Sequence, residues 1–90
     1  MPRPKIPRRL FFEPGARYFK PQGIPLRNLK EVLLDKDEVE ALKLIEIEGK
    51  TQEDAAAQMN ISQPTFFRII KSARQKIADA IINGKAIKIK

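Results

Sequence analysis

Thr51-Gln52-Glu53-Asp54-Ala55-Ala56-Ala57-Gln58-Met59-Asn60-Ile61-Ser62-Gln63-Pro64-Thr65-Phe66-Phe67-Arg68-Ile69-Ile70-Lys71-Ser72-Ala73-Arg74 holds two helix-like segments that meet across a break too short for anything but a sharp turn. Thr51 suits the cap of the first, with Asp54 three residues on completing a box-like start. Ala55, Ala56, Met59 and Ile61 supply a small apolar face, and the alanines let a neighbouring helix come close. Asn60 tolerates the left-handed backbone that ends a helix, Ser62 caps the next one, and Pro64 falls in its first turn. In that second helix Phe66, Ile70, Ala73 and Ile77 recur at intervals of four, three and four, one buried stripe at the helical period. Gln63, Phe67, Arg68 and Lys71 point elsewhere, and they are side chains suited to a DNA major groove. Arg bonds bidentate to guanine, Gln to adenine, and an aromatic edge meets a thymine methyl. The pattern is that of a DNA-reading helix-turn-helix; the bland alternative is two helices of an all-α bundle with a solvated basic face.

The run from Ile61 to Arg74 resembles the recognition helix of the region-four domain of bacterial sigma factors, with Ile70 at a position usually held by Leu. More of the chain, roughly residues 8 to 90, resembles a family of small, functionally uncharacterised prokaryotic proteins predicted to bind DNA. The landmarks are Tyr18-Phe19-Lys20-Pro21, Asp37-Glu38-Val39-Glu40-Ala41-Leu42 and Gly84-Lys85-Ala86. The resemblance implies a sigma region-four-like core of the winged-helix-like class, and it gives no target sequence. Some members are associated with a domain related to iron-molybdenum cofactor assembly proteins and carry a cysteine near the Arg-rich N-terminal segment. This chain has no Cys.

Ninety residues make one domain with a modest core. With neither Cys nor His, disulfides, thiolate chemistry, zinc fingers and imidazole catalysis are excluded. Glu38 and Glu40 diverge on a helix and have no nucleophile or metal-ligand cluster beside them, so they read as solvent-facing acids rather than a catalytic pair. The chain is expected not to be an enzyme and to use no cofactor or metal. No apolar run approaches the roughly 20 residues of a membrane span, and a cytoplasmic location is expected.

The net charge of +7 is segregated along the chain. Residues 1–30 and 63–90 are strongly basic, and residues 31–62 are acidic. Such a division suits a molecule with a DNA-facing side and an acidic side turned away. Six of the seven prolines lie in residues 1–30, which therefore form an extended basic arm rather than a long helix. Leu10, Phe11, Phe12, Tyr18 and Phe19 require part of it to pack, around a turn-like Glu13-Pro14-Gly15-Ala16, as two short extended pieces forming or flanking a hairpin. A further helix is expected from an Asp35 cap with Glu38 at its third position, carrying Val39, Leu42 and Ile45 on its apolar side and ending at Gly49. Residues 85–90 alternate Lys and Ile as a strand does. A partner for it is expected either in the aromatic arm or in a second subunit.

The fold class expected is mainly α, a trihelical helix-turn-helix core with a Pro-rich N-terminal arm and room for one small β element. Residues 1–30 form the arm, 31–84 the helical domain and 85–90 the tail. The function expected is sequence-specific binding of double-stranded DNA by a transcriptional regulator. Gln63, Thr65, Phe67 and Arg68 would contact bases; Ser62, Lys71, Arg74, Lys76, Arg3, Lys5, Arg8 and Arg9 would contact phosphates. A homodimer would address two half-sites about one DNA turn apart. Two other readings stand beside this one. The acidic Glu46, Glu48, Glu53 and Asp54 could dock on RNA polymerase or another regulator, or Phe11, Phe12, Tyr18 and Phe19 could stack RNA bases.

Overall fold

The computed structural model describes residues 9–90, so Arg3, Lys5 and Arg8 lie outside the described residues. Local chemistry sets out its helices. Asp35 and Glu38 form a reciprocal capping box, and α1 (Lys36–Leu42) starts there. A π-helical turn over Lys43–Ile47 continues it without a break, and the Glu48 amide closes back on the Lys43 carbonyl at 2.9 Å. Gly49, at φ 68°, ends this segment, as expected. The Thr51 hydroxyl accepts from the Asp54 amide and opens α2 (Gln52–Gln58).

The chain then turns in four residues. Asn60 takes the left-handed conformation (φ 59°), its amide bonds to the Ala57 carbonyl at 3.1 Å, and the Ile61 amide bonds to the Ala56 carbonyl at 3.0 Å. That pair of bonds is a Schellman closure, which satisfies carbonyls that a helix end would otherwise leave open. The Ser62 hydroxyl accepts from the Thr65 amide and starts α3 (Gln63–Asn83), with Pro64 in the first turn where its missing N–H costs nothing. Gly84, at φ 63°, ends it.

Two apolar clusters hold the three helices together. The larger joins Ala41 and Leu44 to Ala55, Ala56 and Met59 of the α2 side and to Phe66, Ile69 and Ile70 of α3. Each of its large side chains contributes about 1.5–3 kcal/mol by leaving water. The smaller joins Leu34, Ala73 and Ile89, with Val39, Leu42, Ile77 and Ile87 against it. The stripe read from the sequence is buried at Phe66, Ile70 and Ala73, with Ile77 partly covered, and it gains Ile69 and Ala80.

A three-stranded sheet completes the fold, with about half of the chain helical. The strands are β1 (Tyr18–Phe19), β2 (Glu31–Leu34) and β3 (Ala86–Ile89), in the order β1-β3-β2. β3 pairs antiparallel with β1, Tyr18 opposite Lys88, and parallel with β2, Leu34 opposite Ile89. The C-terminal strand thus finds its partner in the arm of its own chain. The two extended pieces of the arm do not pair as a hairpin: Tyr18 and Phe19 pair with β3 instead. β2 was not anticipated; it is the second neighbour of β3 and is reached by a crossover through all three helices.

Glu38 and Glu40 do not face solvent. Both are buried, at 3% and 1% exposure. The Glu38 carboxylate accepts from Ser72 Oγ (2.7 Å), Lys76 Nζ (2.7 Å) and the Asp35 amide (2.8 Å), which bolts α1 to α3. Glu40 Oε1 accepts from the amides of Phe11 (2.8 Å) and Phe12 (2.9 Å), which straps the arm onto α1. A buried carboxylate is tolerable only when its oxygens are satisfied in this way.

Candidate nucleic-acid interface

The first half of α3 sorts its side chains sharply. Phe66, Ile69, Ile70 and Ala73 are buried, while Gln63, Phe67, Arg68 and Lys71 are exposed on the opposite side. Phe67 stands half out of the surface at 51% exposure. Arg68 and Lys71 form no ion pair among the described residues. Ser62 is exposed but its hydroxyl serves the cap and donates to Thr65 Oγ1 at 2.9 Å. Thr65 is half-buried in that same exchange, which turns it from the outward set.

The remaining candidates lie differently. Arg74 is exposed and paired with Glu46 at 2.6 Å, an ion pair of small net value that a stronger anion can displace. Lys76 is set apart from the outward face. Its Nζ donates to Glu38 Oε1 and to the Leu33 carbonyl, both at 2.7 Å, so it fastens α3 to α1 and β2. The Arg9 amide donates to the Met59 carbonyl at 3.2 Å, so the arm joins the body beside the turn that leads into α3. The structure therefore brings Gln63, Phe67, Arg68 and Lys71 together on one face, with Arg9 alongside the turn.

Pairing explains much of the charge segregation. In the acidic centre Glu38 and Glu40 are consumed internally, Glu48 pairs with Lys43 and Glu46 with Arg74. Burial pushes the Glu38 carboxyl up, but hydrogen bonds from Lys76, the Asp35 amide and Ser72, with the attraction of Lys76, outweigh it and hold the group below the ordinary glutamate value. The Lys85 ammonium and the Asn83 amide likewise hold Asp79 low at the end of α3. The carboxylates of Asp35, Asp37 and Glu38 lie within 4.8 Å of one another, but Glu38 already has its partners and the group sits at a helix cap. No described helix is long and apolar enough to cross a membrane.

Sequence reasoning missed the Glu40 strap and the second role of Glu38. The only local signal for Glu38 was an acid in the first turn of a helix, which reads as capping whether or not the acid is buried, and Glu40, further along α1, carried no such signal.

The whole chain, residues 1–90, matches the family described as "Protein of unknown function DUF134". It is 57% identical to a UPF0251 protein of Moorella thermoacetica over 99% of this chain and 60% of the relative. It is also 57% identical to a UPF0251 protein of Caldanaerobacter subterraneus subsp. tengcongensis, over 99% of this chain and 75% of the relative. A UPF0251 protein of Thermoanaerobacter pseudethanolicus is 53% identical over the same shares. No solved structure matches the chain.

Proposed function

We infer, for a chain that belongs to the DUF134 family of proteins of unknown function, that its work is sequence-specific binding of duplex DNA as a transcriptional regulator. α2, the four-residue turn and α3 act as a helix-turn-helix, and the first half of α3 enters the major groove. The observation that carries this reading is the outward face of α3, where an amide, an aromatic ring and two cations without ion pairs among the described residues stand together opposite the buried stripe. Gln63, Phe67 and Arg68 meet base edges there, and Lys71 meets phosphate. Thr65 and Ser62 hold the helix start, whose amides also favour an anion. Arg74 exchanges Glu46 for phosphate when DNA is present. Arg9 lies beside the turn, where it and Arg3, Lys5 and Arg8, which are outside the described residues, are assigned to phosphates.

The docking alternative is weaker, because Glu46 and Glu48 of its acidic surface are already paired within the chain. Selection from a random-core duplex library at near-physiological salt tests the proposal. Enrichment of one motif by the unaltered protein and its loss with Arg68→Ala is the expected result. Salt-sensitive binding without any enriched motif overturns sequence reading and puts polymerase docking first.

A further inference from the structure

The last two turns of α3 carry apolar side chains on both sides. Ala80 is buried and Ile77 packs against the smaller cluster, yet Ala78, Ile81 and Ile82 face outward, the isoleucines at 71% and 80% exposure. With Arg74 they fall at i, i+4, i+7 and i+8, the spacing of a helix face that is normally covered. Beside them runs an open groove of about 690 Å³. Val39, Leu42 and Ile77 floor it, and Ile47 and Ile81 form its lips. Ile47 is itself 81% exposed. Apolar surface concentrated in this way on a small domain marks a contact site.

We propose that a second copy of this chain covers this face, the two α3 helices crossing antiparallel about a two-fold axis near Ala78 to Ile82. The rim is mixed in charge, with Lys43 and Arg74 beside Glu46, so a partner of one sign meets repulsion somewhere along it. A second copy turned over presents the same acid and cations in reverse order. Ala78 carries only a methyl group, which lets a second helix come close. Strand exchange through β3 is closed, because both of its edges are occupied within the chain.

Sedimentation of the full chain without DNA, over a wide concentration range, judges the dimer alone. The expected species has twice the 10.3 kDa chain mass, and Ile81→Glu returns it to the chain mass with unchanged helical circular dichroism. Since the chain has no Cys, Ala78→Cys treated with a short bismaleimide should link to its own copy, and Ala57→Cys, exposed on α2, should not. A chain that sediments at 10.3 kDa at every concentration, or a dimer indifferent to Ile81→Glu and unlinked through position 78, overturns the proposal. A dimer that passes these tests while Arg68→Ala leaves DNA selection unchanged defeats the DNA reading and leaves the dimer standing.

Discussion

Glu38 and Glu40 are separated by one residue and tie α1 to different parts of the chain. Glu38 turns toward Ser72 and Lys76 of α3, and Glu40 toward the backbone of the arm. The folded-state pKa of Glu38 lies below its ordinary value near 4.5, so its contribution to stability is present above that value and is lost as pH falls through the folded one. Glu38→Gln should therefore cost about 2 kcal/mol at neutral pH, the scale of a charge-assisted hydrogen bond. The same variant should flatten the acid limb of stability against pH in urea unfolding. Retention of an unchanged acid limb would remove Glu38 from its cause. That Asp35 and Glu38 make a capping box was legible, because cap and third position are neighbours in the chain. Its burial was not, since the partners stand 34 and 38 residues further on. On the outward face, Arg68→Ala should cost about 1–3 kcal/mol on the preferred DNA site and relax its choice of sequence, whereas Lys71→Ala should weaken all duplexes alike. Titration of both variants on specific and random DNA separates these roles, and equal losses on both kinds of DNA would defeat the assignment.

Among the elements, the helix ends are written in single residues and the strands are not. Asn60 and Gly84 both adopt left-handed backbone, the first making the turn before α3 and the second releasing the chain into β3. A Cβ at Gly84 would meet nothing within 4 Å, so Gly84→Ala carries only the conformational penalty. It should destabilise the domain by about 1 kcal/mol in chemical denaturation. A neutral effect would mean that the helix end relaxes. The Glu40 side chain holds the Phe11–Phe12 stretch of the arm: Glu40→Ala should speed amide exchange at Phe11 and Phe12 well before the amides of α3 respond. Exchange rising equally in α3 would instead show that the strap belongs to the core. β2 escaped the sequence because Glu31-Val32-Leu33-Leu34 is short and has no clear alternation. It becomes a strand through β3, which offers it a parallel edge after three helices have intervened.

At the level of the whole molecule, charge is sorted twice, once along the chain and once by folding. The acidic centre spends Glu38, Glu40, Glu46 and Glu48 on internal partners, while Arg68 and Lys71 remain without ion pairs among the described residues. Binding to duplex DNA should therefore fall steeply with salt. Removing residues 1–8, which contain Arg3, Lys5 and Arg8, should lower the slope of log K against log salt by about 3 if each meets a phosphate. A slope that does not change would assign the arm to packing alone. The sequence by itself determined the helices, their caps, the four-residue turn and the buried stripe of α3. Each of these depends on side chains within one or two turns of each other, where spacing alone places them. Only the tertiary structure decided that Lys76 fastens α3 to α1 and β2, that two acids lie in the interior, and that β3 is the central strand of a sheet. Those outcomes depend on partners many residues away, and a residue's own type gives no sign of which distant group the packing of α1 against α3 will bring within hydrogen-bonding distance.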